Sequence, residues 1–231
     1  MGHPIAAVGF DADDTLWRSE DHFHDAEAMF VDAVSSYADE PEARALLART
    51  ERSNLDVLGY GAKPFTISMV EAAIEISQGT IDPATLRRII TTGKALLTHP
   101  VDLLPDAARV VTEVAARWPV LLITKGDLGH QQRKIADSGL EPLFAGVHVV
   151  HEKDVRTYGR ILSAHEIDPA GFVMVGNSVK SDLVPVLEIG GRGVHIPYHV
   201  TWILERATTD ASYIEIETLS ELSGVLDGMA A

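Results

Sequence analysis

The sequence predicts an α/β fold built on a central parallel sheet, and three observations carry that prediction. First, five short runs are continuously apolar: "IAAVGF" (5–10), "PVLLIT" (119–124), "GVHVV" (146–150), "GFVMVG" (171–176) and "GVHIP" (193–197). They do not alternate polar and apolar residues, so they suit strands covered on both faces. Second, helical segments separate the later runs, which gives strand and helix in repetition with right-handed crossovers expected. Third, the interval between the first two runs holds no convincing strand, and it reads as an all-helical insertion.

Taken in order, the first run ends in "DADDT" (11–15), a sudden cluster of acid. Four helices are then expected: "DHFHDAEAMFVDAVSSYA", "EARALLARTERSNLDVL", "PFTISMVEAAIEIS" and "PATLRRIITTGKALL". The third and fourth open on proline, which is tolerated at the first helical position. Asp82 is a natural N-cap for the fourth, its carboxylate accepting from free N–H groups of the first turn. "GYGAKPF" lies between the second and third as a Gly-rich turn. Beyond the insertion, "DAARVVTEVAARW" precedes the second strand, "GHQQRKIADSG" follows it, and "TYGRILSAHE" separates the third from the fourth. The expected division is therefore an α/β core from 1–17 and 102–231, with a helical domain from 18–101.

Composition narrows the chemistry. The 231 residues carry 34 Asp+Glu against 19 Lys+Arg, a formal net charge of −15, and no cysteine. Such a surface repels nucleic acid and anionic membrane. The absence of thiols excludes disulfides, thiolate catalysis and Cys-based zinc sites. No run approaches the length of a membrane span, and "MGHPIAAVGFD" lacks the basic and apolar regions of a signal peptide. A cytoplasmic protein acting on a small molecule is expected, with no nucleic-acid or membrane partner, as a monomer or homodimer.

In open α/β sheets ligands bind beyond the carboxyl ends of the strands. Asp11 follows the first strand directly, and Asp13 lies two residues on. Two close carboxylates repel unless a cation intervenes. The pair suits a hard divalent cation, or a division of labour between nucleophile and acid–base. Other strand ends supply complementary groups. Thr124 offers a hydroxyl, with the N–H groups of Lys125 and Gly126 beyond it forming an oxyanion cradle. Lys153 follows the third strand, and Asn177 and Asp182 follow the fourth. Each piece alone fits an ordinary cap, turn or solvated charge. All four in order, each at a strand's carboxyl end, point to one site.

With these residues in place, the sequence resembles the haloacid dehalogenase superfamily. Its four motifs appear in order as "DADDT" (11–15), Thr124 within "LLITKGD", Lys153 within "EKDVRTY", and "GNSVKSD" (176–182). The resemblance implies a Rossmann-like three-layer sandwich with a C1-type helical cap inserted after the first strand, and a phosphatase acting on a small phosphorylated metabolite. It implies Asp11 as nucleophile, forming an aspartyl-phosphate, and Asp13 as general acid and then base. Thr124, Lys125, Gly126 and Lys153 would bind the phosphoryl group. Mg2+ would be held by Asp11, the Asp13 carbonyl and the fourth motif, through Asn177 or Asp182.

Dehalogenases of the family have a non-acidic residue two after the nucleophile, because a halide leaving group needs no proton. Asp13 therefore favours phosphate esters, with a 2-haloacid dehalogenase as the alternative. The fourth motif usually opens G-D, and here Asn177 stands in the acidic position. It ligates without charge, which weakens the metal site and is the sole support for a catalytically weak binding or regulatory member. Trp17, Arg18, Lys63 and Phe65 are candidates for contact with substrate, although Trp17 and Phe65 equally fit packing. "HIPYHVTWILE" (195–205) spaces His195 and His199 as H-x-x-x-H without the acid and helix of a zinc-protease motif, so lid or interface packing is expected there.

Overall fold

The computed structural model describes residues 3–205 and 207–230. Its centre is a six-stranded sheet in the order β3-β2-β1-β4-β5-β6, every neighbouring pair parallel. The strands are β1 (Ala7–Phe10), β2 (Val120–Lys125), β3 (Gly146–Val150), β4 (Phe172–Gly176), β5 (Arg192–His195) and β6 (Ile214–Glu215). The five apolar runs are the first five strands. The last, β6, has only two residues, too few for an apolar pattern to reveal.

Alternation along each strand feeds two cores, because successive side chains point to opposite faces. Val8, Phe10, Val120, Leu122, Val173 and Val175 pack to one face, with α5 (Ala107–Ala115), α6 (Leu128–Asp137) and α9 (Leu222–Ala230). Ala7, Leu121, Ile123, Phe172 and Met174 pack to the other, with α7 (Val155–Ala164) and α8 (Val184–Glu188). The result is a three-layer α/β arrangement. Among the described residues no helix is long and apolar enough to cross a membrane.

The chain separates into two compact units, 1–20 with 101–231, and 21–100. The second is built from α1 (Glu20–Val34), whose first residue belongs to the other unit, α2 (Glu40–Leu58), α3 (Ala62–Ile76) and α4 (Pro83–Thr98). Phe30, Leu47, Met69 and Ile89 form its buried centre. Asp82 caps α4, accepting from the N–H groups of Ala84 and Thr85 at 2.8 and 3.0 Å. Several helix ends differ from expectation by a few residues, and two of them have a local cause. α1 stops at Val34, short of "SSYA", where Ser35 Oγ donates to the Asp32 carbonyl at 2.8 Å and competes with the helical ladder. α3 begins at Ala62, after Gly61 at φ 115°, so Pro64 occupies the third helical position. That still lies in the first turn, where no intrahelical N–H bond is lost.

α3 and α4 meet closely at Gly93. A β-carbon there would lie 1.9 Å from Thr66 Oγ1, and Thr66 is itself fixed by a 2.6 Å bond to the Ala62 carbonyl. Gly93→Val should destabilise the protein by about 1–3 kcal/mol through overpacking. Urea unfolding reads this directly, and an unchanged midpoint would mean that the two helices separate freely at this point.

Candidate active site

The strand order reverses direction around β1 and β4, the place where an open sheet leaves a crevice beyond its strand ends. The Asp11 N–H bonds the Val175 carbonyl at 2.9 Å, which fixes Asp11 at that edge. Lys153, buried in the loop between β3 and α7, reaches Asp11 Oδ1 at 2.5 Å and Asp182 Oδ1 at 2.7 Å. A buried ammonium is tolerated only when paired and hydrogen-bonded. Burial works against the Lys153 charge, but Asp11 and Asp182 outweigh it and hold the ammonium above the ordinary lysine range. Burial pushes the Asp11 carboxyl up to about 7; Lys153 opposes this, while Asp182 and Asp13 add to it.

Thr15 Oγ1 lies 3.1 Å from Asp11 Oδ2 and 3.4 Å from Asn177 Oδ1, so these two oxygens share one corner. Asp182 is engaged elsewhere: Oδ1 takes Lys153, and Oδ2 accepts from the Ser178 N–H at 3.0 Å. Among the described residues no group of three His, Cys, Asp or Glu gathers to hold a metal. The set at hand is different in kind: the Asp11 carboxylate and the Asn177 amide oxygen, which meet at Thr15 Oγ1. Both are hard oxygen donors, and Asp11 and Asp182 place two carboxylates on a single ammonium. This donor set fits a small divalent cation.

The side chain of Asp13 is held apart from Asp11, by a different cation. Its Oδ1 accepts from Trp17 Nε1 at 2.6 Å and Lys134 Nζ at 2.5 Å, and its Oδ2 from Gln131 Nε2 at 3.0 Å. Burial alone would raise its pKa, but Lys134 and the three hydrogen bonds outweigh it and hold the carboxyl below its ordinary range. On the same helix, burial and then Lys134 push His130 down to about 4, which leaves it neutral near pH 7. Asp14 is structural: at φ 62° it caps the start of α1, accepting from Ser19 and Glu20 N–H at 2.9 and 3.0 Å.

The second motif ends β2. Thr124 Oγ1 accepts from Gln131 Nε2 at 2.7 Å. Gly126 has φ 131° and would press a β-carbon to 3.3 Å from Gln131, so the turn requires glycine. The Lys125 ammonium is turned to Glu205, Ser181 and Glu152, at 2.7, 2.8 and 3.3 Å. Asp11, Asn177, Lys153 and Asp182 therefore form one connected cluster, and Asp13 and Thr124 a second, joined through Gln131.

Other candidates have plainer roles. Trp17 is fully buried and serves Asp13, and Arg18 pairs with Asp102 at 3.0 Å. Phe65 packs edge-to-face on Phe23 inside the helical unit, and Lys63 lies exposed on α3 rather than in a loop. His195 and His199 do not converge: His195 Nε2 donates to the Asn177 carbonyl at 3.0 Å, while His199 lies against Tyr198. Gln131, Lys134, Glu205 and the support from His195 were not read from the sequence. The one available signal was the i, i+3 spacing of Gln131 and Lys134 just after the second motif.

A family model described as hydrolase, haloacid dehalogenase-like hydrolase, matches residues 5–185. The chain belongs to that family. It is 42% identical to a haloacid dehalogenase-like family hydrolase from Xanthomonas campestris, over 99% of this chain and 93% of that one, with a TM-score of 0.88. A HAD-hydrolase of Bacillus subtilis, YfnB, solved bound to magnesium, is 14% identical over 97% of this chain and 100% of that one, with a TM-score of 0.68. A 2-haloacid dehalogenase from Pseudomonas syringae pv. Tomato is 21% identical over 97% and 99%, with a TM-score of 0.65. The last two show a shared fold. No curated protein matches the chain.

In this HAD-family hydrolase Gly176 makes room for Asp182. A β-carbon at 176 would lie 2.2 Å from Asp182 Oδ2. Gly176→Ala should force the carboxylate off Lys153 and destabilise the fold by about 1–3 kcal/mol. Thermal unfolding checks this, and an unshifted melt would show that Asp182 has another place to go.

Proposed function

We propose that the chain is a magnesium-dependent phosphatase, hydrolysing a small phosphomonoester through an aspartyl-phosphate on Asp11. The observation that carries this reading is Asp13. A second carboxylate stands two residues after the buried nucleophile candidate, at the position where an ester needs a proton donor and a halide does not. The fold alone does not separate the two chemistries, since a dehalogenase shares it. The helical unit 21–100 is read as the C1-type cap from its place in the chain.

An entering phosphate dianion raises the proton affinity of Asp13, which takes up a proton as the ester binds; an Asp11 oxygen then attacks phosphorus, and the ester oxygen leaves with that proton. The Thr124 hydroxyl and the N–H groups of Lys125 and Gly126 bind the phosphoryl oxygens, and Lys153 offsets the negative charge that Asp11 and the phosphoryl group bring together. Asp13 then takes a proton from water as that water attacks phosphorus, freeing Asp11 and releasing phosphate. Magnesium, held by Asp11, the Asp13 carbonyl and Asn177, would supply the positive charge that lets two anions approach. Asp182 keeps Lys153 in place while Asp11 changes charge.

The test is hydrolysis of 4-nitrophenyl phosphate with magnesium, with EDTA, and by Asp11→Asn. Turnover should need the metal and fall to background in the variant, which keeps Asp182 as a partner for Lys153. Hydrolysis that persists in Asp11→Asn would defeat the mechanism. Halide release from 2-chloropropionate without phosphatase activity would establish the dehalogenase instead. In the same assay Asn177→Asp should lower the magnesium concentration for half-maximal rate by about tenfold, because a charged ligand replaces a neutral one. An unchanged concentration would remove Asn177 from the metal site.

A further inference from the structure

Resting on the phosphatase reading, we infer that Lys134 and Gln131 are positioning residues, which fix where the Asp13 carboxylate meets the leaving oxygen and couple it to the phosphate cradle at Thr124. Both come from α6, three residues apart, so they share one helix face. Lys134 Nζ takes Asp13 Oδ1 and Gln131 Nε2 takes Oδ2, while Trp17 Nε1, only four residues after Asp13, also donates to Oδ1. Three donors on two oxygens leave the Asp13 side chain a single rotamer. The same Gln131 amide lies 2.7 Å from Thr124 Oγ1 and 2.8 Å from the Lys125 carbonyl. One side chain thus ties the proton-handling carboxylate to the strand end that receives the phosphoryl group.

The Lys134 and Asp13 side chains are 12% and 29% exposed, so their contact is mostly withdrawn from water and its geometry is set by the surrounding protein. A group misplaced by about 1 Å can lose roughly 10²-fold in rate.

The experiment compares kcat/KM for phenyl phosphate and 4-nitrophenyl phosphate, similar esters with a poor and a good leaving group. For these substrates kcat/KM reports the transfer to Asp11, so only the poor leaving group depends strongly on the proton from Asp13. In Lys134→Met the ratio of 4-nitrophenyl to phenyl phosphate should rise by about tenfold or more, since general acid catalysis contributes about 10²–10⁴-fold. Lys134→Arg, which restores a cationic donor, should bring the ratio back toward the wild-type value. Gln131→Leu should raise the ratio and also weaken binding of both esters, because it touches Thr124 as well. An equal loss with both esters in the Lys134 and Gln131 variants, or no change in either, would overturn the positioning role. A wild-type protein that hydrolyses neither ester, in the presence of magnesium, would instead bring down the phosphatase reading and this inference with it.

Discussion

The site depends on one buried ammonium shared by two carboxylates. Lys153 lies between Asp11 and Asp182, with 2% of its side chain exposed. Losing Lys153 would leave two buried carboxylates without their cation, at a cost of about 3–5 kcal/mol. This single contact draws the ends of β1, β3 and β4 to one point. It also explains the glycine at 176, which gives the Asp182 carboxylate its room, and the π-helical turn Val179–Leu183 that carries Asp182 back over the strand end. π-helical turns are rare and favour functional sites, where an extra residue re-aims a side chain.

One lysine cannot neutralise two carboxylates. Burial first, and then the charges of Asp182 and Asp13, raise Asp11 to about 7 against the pull of Lys153, and an oxygen-lined corner lies beside Asn177 and Thr15. Asp13 escapes this competition because it has its own cation, Lys134, from another element. Two aspartates separated by a single alanine therefore have environments that push their proton affinities in opposite directions. A shared cation would have averaged the two, and the spacing in the sequence gives no hint of which arrangement holds.

Much of the frame was legible in the sequence because burial on both faces of a parallel strand leaves an unmistakable apolar run. The Asp82 cap was legible for a similar reason, since its chemistry is local. The site was legible only as far as its strand-end residues. Lys134 and Gln131 sit on a strongly amphipathic helix, where Lys and Gln ordinarily mark the solvated face. Glu205 ends a three-residue 3-10 turn, Ile203–Glu205, too short for a periodic pattern, and it binds residues 24, 27 and 80 positions away. His195 invited comparison with a metal motif, yet its partner is a main-chain carbonyl. Contacts of that range leave no pattern in one sequence.

The fate of Lys125 shows how such a distant contact changes the chemistry of a motif. Its place directly after Thr124 offers a cation for phosphate. The structure spends that charge on Glu205, whose other oxygen accepts from Ser178 and Ser181. Burial would raise the Glu205 pKa, but Lys125 and both serines outweigh it and keep the carboxyl ionised. The ammonium thereby braces the turn bearing Asp182. Its charge is therefore committed to a carboxylate, as those of Lys153 and Lys134 are committed to Asp11 and Asp13.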